Sequence, residues 1–173
     1  MLHARRRAAA LARLRARAVP RSVLFICHGN IIRSPFAERL AATALPPALR
    51  GRVDLGSAGF VGPGRPSPRA AVEAAARWGV DLSAHRSRRV TVEDLRRAEL
   101  VVVVEPRQLR PLLRLGCPAA KLLVLGDLDP APIDTRSIPD PFDRTESVFI
   151  ESYRRIHRCL HALLGAVSTE ARP

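Results

Sequence analysis

Cys27 stands at the end of the apolar run Ser22–Cys27, and Arg33 opens a helix-like stretch after His28-Gly29-Asn30-Ile31-Ile32, with Ser34-Pro35 following. A loop of this length between a strand end and a helix N-terminus can curl until its N–H groups point inward and cradle a tetrahedral oxyanion. His28, Gly29, Asn30, Ile31, Ile32, Arg33 and Ser34 are therefore the expected phosphate-binding segment. Gly29 and Asn30 are residue types that readily take positive φ, which a tight cradle demands. Arg33 can fork two N–H bonds onto phosphate oxygens. Cys27 would sit beneath the phosphorus in a positive field, where the nucleophilic thiolate is favoured, and the Ser34 hydroxyl can donate to it. A thiolate facing a phosphate ester points to covalent catalysis through phosphocysteine.

Each residue alone has a plainer reading. A cysteine ending a strand is usually a small buried hydrophobe. An arginine opening a helix is disfavoured by the helix dipole, so its presence calls for an anion. Cys-x5-Arg recurs by chance, whereas Cys-x-Gly-Asn-x-x-Arg-Ser-Pro between a strand and a helix is specific. Phosphate ester hydrolysis also needs a group that protonates the leaving oxygen and later deprotonates water. Asp140, in Ser137-Ile138-Pro139-Asp140-Pro141-Phe142, is held by flanking prolines that fix the backbone direction. Asp before Pro is equally a common turn pairing.

The elements that must position these residues follow from pattern. Ser22–Cys27, Val53–Ala58, Leu100–Val104 and Lys121–Leu125 read as buried strands, and Ser34–Leu45, Arg69–Trp78 and Pro106–Leu115 as helices. Thr91 and Asp94 form a capping box for a short helix. Asp127–Arg144 reads as a long proline-rich loop. Glu146–Leu164 reads as an amphipathic helix with Val148, Ser152, Ile156, Cys159, Leu160 and Leu163 along one stripe. Strands alternating with helices predict an α/β fold: a doubly wound, four-stranded parallel sheet flanked by helices in three layers. Ligands then bind at the carboxyl ends of the strands, where the winding reverses.

The chain has 173 residues, a length suited to one domain, with 47% apolar and 26% charged residues, which excludes wholesale disorder. The longest aliphatic run, Leu100–Val104, is far short of a membrane span. Much of the +13 net charge lies in residues 1–22, which hold seven arginines and no acid. Residues 1–21 read as a basic, disordered tail, with contact to an anionic membrane as the sharper alternative. Residues 22–166 read as the catalytic domain and 167–173 as a C-terminal tail. Aromatic residues are only 4%, so no basic-aromatic pattern supports nucleic-acid binding. Cys27, Cys117 and Cys159 are an odd count set far apart, which favours free thiols and a cytoplasmic setting.

At the Cys27–Pro35 segment the sequence resembles the low-molecular-weight protein tyrosine phosphatase family. Ser57-Ala58-Gly59, Gly79-Val80-Asp81-Leu82-Ser83, His85-Arg86, Gly126-Asp127-Leu128-Asp129-Pro130 and Asp140-Pro141-Phe142 fall in that family's order, from about Val23 to about Leu164. The resemblance implies a metal-independent, cofactor-free phosphatase acting on phosphotyrosine proteins and releasing inorganic phosphate. It implies Cys27 as nucleophile, Arg33 as phosphate clamp and Asp140 as general acid. It places Asn30, Ser34, Ser57 and His85 in a hydrogen-bond network holding the loop, and Phe60 and Phe142 as substrate walls. Many members carry a second cysteine at the position of Ile32 and a second aromatic at that of Asp143. Members resembling arginine phosphatases carry Thr at the position of Ile31, where an apolar Ile suits an aryl ester better.

Other readings are weaker. Arsenate reductases share this fold and loop but relay a disulfide, and Cys117 and Cys159 lack the relay spacing. A non-catalytic phosphate-binding module would require neither Cys27 nor Asp140. Asp127-Leu128-Asp129 resembles a magnesium-holding pair, yet loop acids capping a turn explain it as well. His157 and His161 share a helical face without a third metal ligand. Gly62-Pro63-Gly64 is too proline-bound for a dinucleotide loop.

Overall fold

The computed structural model describes residues 1–168. Its elements are helix α1 (Leu2–Arg15), strand β1 (Ser22–Ile26), α2 (Arg33–Ala44), β2 (Asp54–Ala58), α3 (Arg69–Ala76), α4 (Val92–Arg97), β3 (Leu100–Val103), α5 (Leu109–Arg114), β4 (Leu122–Val124) and α6 (Glu146–Ser168). The sheet order is β2-β1-β3-β4, with every neighbouring pair parallel. Ile26 is paired with Ala58 on one side and Val103 on the other. β1 thus lies between the two directions of winding, and Cys27 follows it at the switch point.

Side-chain alternation along the strands sorts the core into two layers. Val23, Phe25, Leu100, Val102 and Leu123 face α2, α3 and α6. Leu24, Ile26, Val101, Val103, Leu122 and Val124 face Leu95 of α4 and Leu112 of α5. Both faces are covered, which is why the strands read as continuous apolar runs. Ile26 is fully buried, a contribution of roughly 1.5–3 kcal/mol for such a side chain. The Thr91–Asp94 capping box opens α4 as expected.

The structure corrects several expectations. Residues 1–21 are not a disordered tail: Leu2–Arg15 form α1, which buries Leu11 and Leu14 and packs on α6. Three arginines of residues 1–21 bond carbonyls of the body, while Arg5, Arg6 and Arg15 are exposed. Arg7 Nε donates to the Leu128 carbonyl at 3.3 Å, Arg13 Nη2 to that of Leu122 at 2.5 Å, and Arg17 Nη2 to that of Glu99 at 2.7 Å. A segment with little apolar surface docks through these charge-assisted bonds. Pro106–Leu115 is a 3-10 turn over Pro106–Gln108 followed by α5, and the Asp127–Arg144 loop begins inside a 3-10 turn, Leu125–Leu128. In α6 the buried position is Phe149 rather than Val148, and the helix runs through Ser168, beyond the expected boundary at 166. The rest of the expected C-terminal tail, 169–173, lies outside the described residues.

Candidate active site

The loop after β1 turns through Asn30, whose φ of 51° makes it the position that takes the left-handed conformation; Gly29, expected to share it, does not. Asn30 is fully buried and its side chain is fully bonded. Nδ2 donates to Ser34 Oγ and to Ser57 Oγ, each at 2.9 Å, and Oδ1 accepts from the Arg88 N–H at 2.9 Å. Its carbonyl bonds the His85 Nε2 at 2.7 Å, and the carbonyl partner requires that nitrogen to carry the proton. Ser57 passes its own proton to Glu38 Oε2 at 2.6 Å. All four residues expected in the network are joined. Glu38 and Arg88 complete it and were not anticipated.

The network determines what reaches the sulfur. Ser34 Oγ accepts from Asn30 and lies 3.1 Å from Cys27 Sγ, so its proton can point at the sulfur. The Asn30 N–H donates to the same sulfur at 3.2 Å. The approach of Gly59 is obligatory: a Cβ there would lie 2.6 Å from the His28 carbonyl oxygen and 2.8 Å from the Asn30 nitrogen. β2 can close on the loop only at a glycine.

Arg33 is 1% exposed at the start of α2. Nη1 donates to Glu105 Oε1 at 2.8 Å and to the Ile138 carbonyl at 3.0 Å, and Nη2 donates to Asp140 Oδ2. Glu105 follows β3 and is itself buried, held by Gln108 and Arg107. Nε of Arg33 is buried without a partner among the described residues, and no side chain caps the N-terminus of α2. A buried guanidinium N–H and an uncapped helix N-terminus at one site are what a bound oxyanion would satisfy.

A cavity of about 310 Å³ opens over this loop. Cys27, Ile31, Ile32 and Arg33 form its floor, and Val61, Arg65, Asp140 and Phe142 its sides. Phe142 lines the cavity. Phe60 does not: it packs against the core layer of Leu24 and Leu112, while its N–H bonds the His28 carbonyl at 2.8 Å. Val61 and Arg65 take the wall position instead. Asn30 and Ser34 support the loop from behind rather than line the cavity.

The remaining candidates have other work. Asp127 takes a two-bond pair with Arg136, and Asp129 is shared by Arg155 and Arg158. Arg155 also donates to the carbonyls of Ser137 and Thr135, so these acids anchor the loop that carries Asp140. Burial pushes the Asp129 carboxyl up, but the bonds from Arg158 and from the Ala131 N–H, with the charges of Arg158 and Arg155, hold it below the usual range. His157 and His161 meet through Nε2 at 3.1 Å, the His157 ring packs on Trp78 with centroids 4.7 Å apart, and no group of three metal-ligating side chains occurs among the described residues. Cys117 and Cys159 are buried away from the cavity, and burial raises both thiols, that of Cys159 to about 12. No helix among the described residues is long and apolar enough to cross a membrane.

Known proteins share this sequence pattern and this fold. The family model described as Low molecular weight phosphotyrosine protein phosphatase matches residues 22–172, leaving α1 outside. The phosphatase of that name from Sus scrofa is 34% identical over 160 residues, covering 88% of this chain and 99% of that protein. The crystal structure of the Erwinia amylovora tyrosine phosphatase amsI superposes with a TM-score of 0.75 at 26% identity, covering 86% of this chain and 94% of that one. The YwlE arginine phosphatase from Geobacillus stearothermophilus superposes with a TM-score of 0.72 at 25% identity, covering 87% and 95%.

Proposed function

The chain belongs to the low-molecular-weight phosphotyrosine protein phosphatase family, and from that premise we propose that it hydrolyses phosphotyrosine in protein substrates with Cys27, Arg33 and Asp140 in the reacting roles. The observation that carries the assignment is the buried, unpartnered Nε of Arg33 in the cavity that Cys27 also lines, with the Asn30 N–H donating to the Cys27 sulfur and the Ser34 hydroxyl 3.1 Å from it. Arg33 and the amides at the start of α2 take the phosphate oxygens. Cys27 Sγ attacks in line, forming the P–S bond as the P–O bond of the ester breaks, and Asp140 gives its proton to the leaving oxygen. Asp140 then takes a proton from water, whose oxygen attacks phosphorus. Inorganic phosphate leaves and the thiolate returns.

Ile31, Val61 and Phe142 offer apolar surface for an aryl ester, which supports phosphotyrosine over phosphoarginine. The charge of the phosphate is met by Arg33 and backbone amides, so the mechanism calls on no metal or cofactor. Three free cysteines, one required as a thiol, support a reducing, cytoplasmic setting. The test is turnover of para-nitrophenyl phosphate in the presence of a chelator, with phosphotyrosine, phosphoserine and phosphoarginine peptides beside it. Cys27→Ser should abolish turnover while phosphate still binds. Residual turnover in that variant would remove Cys27 from the role.

A further inference from the structure

We propose that Arg65 forms a second anion subsite at the mouth of the cleft, which selects phosphotyrosine segments carrying an aspartate or glutamate beside the phosphorylated residue. The inference rests on the phosphatase reading of the same cleft. Cys27 and Arg33 are buried at its floor, whereas Phe142 is 45% exposed at its rim. The Arg65 guanidinium stands 6.0 Å from the centroid of the Phe142 ring. On its other side it meets the phosphate loop: a Cβ at Gly29 would lie 3.7 Å from Arg65 Nη1. The cation therefore bridges the rim between the loop that takes the phosphate and the aromatic wall.

Its position is built rather than incidental. The side chain lies across Gly62, where a Cβ would come within 2.8 Å of Arg65 Cδ and where φ is +49°. Ser87 fixes the backbone from three directions. Its Oγ accepts from the Arg65 N–H at 3.0 Å, its N–H donates to the Arg65 carbonyl at 2.8 Å, and its carbonyl accepts from the Gly64 N–H at 2.7 Å. The Ser87 hydroxyl proton goes to the Gly62 carbonyl at 2.5 Å.

Arg33, Arg88, Arg136, Arg155 and Arg158 each meet a carboxylate. Among the described residues no carboxylate pairs with Arg65, although Asp140 and Asp143 flank the Phe142 it faces. A half-buried cation without a counter-charge, aimed into a cleft that takes an anion, attracts a further negative group on the same ligand. The phosphate itself is already met by Arg33, so the second group is a carboxylate on the flanking segment.

The test measures binding to Cys27→Ser protein, so that it does not depend on turnover. The probes are two phosphotyrosine peptides that differ only in aspartate or asparagine on either side of the phosphotyrosine. The aspartate peptide should bind about two- to fivefold tighter at low salt, the range of a partly exposed ion pair. The ratio should shrink at 0.5 M salt. Adding Arg65→Gln should bring it to about one, and Arg65→Lys should retain part of it. A ratio of one in the parent, a ratio unchanged by Arg65→Gln, or no binding of either peptide overturns the subsite. Turnover of para-nitrophenyl phosphate by the unmodified chain tests the phosphatase reading separately.

Discussion

Arg33 Nη2 donates to Oδ2 of Asp140, so the residue proposed to clamp the phosphate also holds the residue proposed to protonate the leaving oxygen. One guanidinium thus sets the distance between the two functions, while Glu105 and the Ile138 carbonyl fix its other amino group.

Asp140→Asn keeps the bond to Arg33 and removes the transferable proton. General acid catalysis contributes about 10²–10⁴-fold. The loss should approach that range for phenyl phosphate and be much smaller for esters whose leaving group needs no proton. The check is kcat across a series of aryl phosphates, in which the variant should depend more steeply on leaving-group pKa. Equal losses across the series would show that Asp140 only positions Arg33.

Asn30→Ala should damage stability and turnover together. It removes the donor to Ser34 and Ser57 and leaves the Arg88 N–H without its acceptor, each a buried loss of about 1–3 kcal/mol. It also places alanine at a φ of 51°. We expect stability to fall by about 2–4 kcal/mol by urea unfolding. kcat should drop as the Ser34 hydroxyl loses the bond that orients it. A variant of native stability with full activity would mean the network is redundant.

The local part of this site could be read from the sequence, and the non-local part could not. Cys27, Asn30, Arg33 and Ser34 lie within eight residues, so strand, loop and helix period alone place them together. Ser57 and His85 bond Asn30 across 27 and 55 positions, and only resemblance pointed to them. Glu105, Glu38 and Arg88 left no sequence signal, because a buried ion becomes conspicuous only when its partner is known. Phe60 could face a cleft or a core equally well, and the register of the segment after β2 decides. α1 leaves little trace in the sequence, because its docking joins only two buried leucines to guanidinium–carbonyl bonds that no hydropathy pattern contains.

The three thiols should differ sharply toward alkylation. Burial raises Cys117 and Cys159, while the sulfur of Cys27 accepts from the Asn30 N–H, lies 3.1 Å from the Ser34 hydroxyl and lines the cavity. At pH 7 iodoacetate should modify Cys27 first, and inorganic phosphate should slow it; peptide mass mapping reads the site. Excess peroxide should inactivate beyond rescue by thiols, since Ile32 stands where a protecting cysteine would be. Ile32→Cys should make that loss reversible. A parent enzyme fully restored by dithiothreitol contradicts this.

Removing residues 1–15 should weaken the fold. Leu11 and Leu14 leave the core, and the bonds from Arg7 to the Leu128 carbonyl and from Arg13 to the Leu122 carbonyl are lost. The two leucines together represent roughly 3–6 kcal/mol of burial, reduced by the entropy of ordering the helix. A fall in Tm of about 5–10 °C by calorimetry follows for a chain of this size. An unchanged Tm would mean that α1 docks without net stabilisation.

Asp129 should govern part of the acid limb of stability. Its carboxyl is held below the ordinary value of 3.8 by Arg158 and Arg155 despite burial. A group whose folded pKa is depressed binds more protons in the unfolded chain as pH falls. Its contribution is therefore fully present above the unfolded pKa and lost as pH drops through the folded one. The urea midpoint should hold from pH 7 to about 5 and decline below about 4. Asp129→Asn should cost about 3 kcal/mol at pH 7, because two guanidiniums lose their counter-charge. It should also flatten the decline in acid. The same substitution loosens the grip of Arg155 on Thr135 and Ser137, and so the seat of Asp140. kcat for phenyl phosphate should then fall more than KM changes. An acid limb as steep in Asp129→Asn as in the parent would assign that pH dependence to other carboxylates.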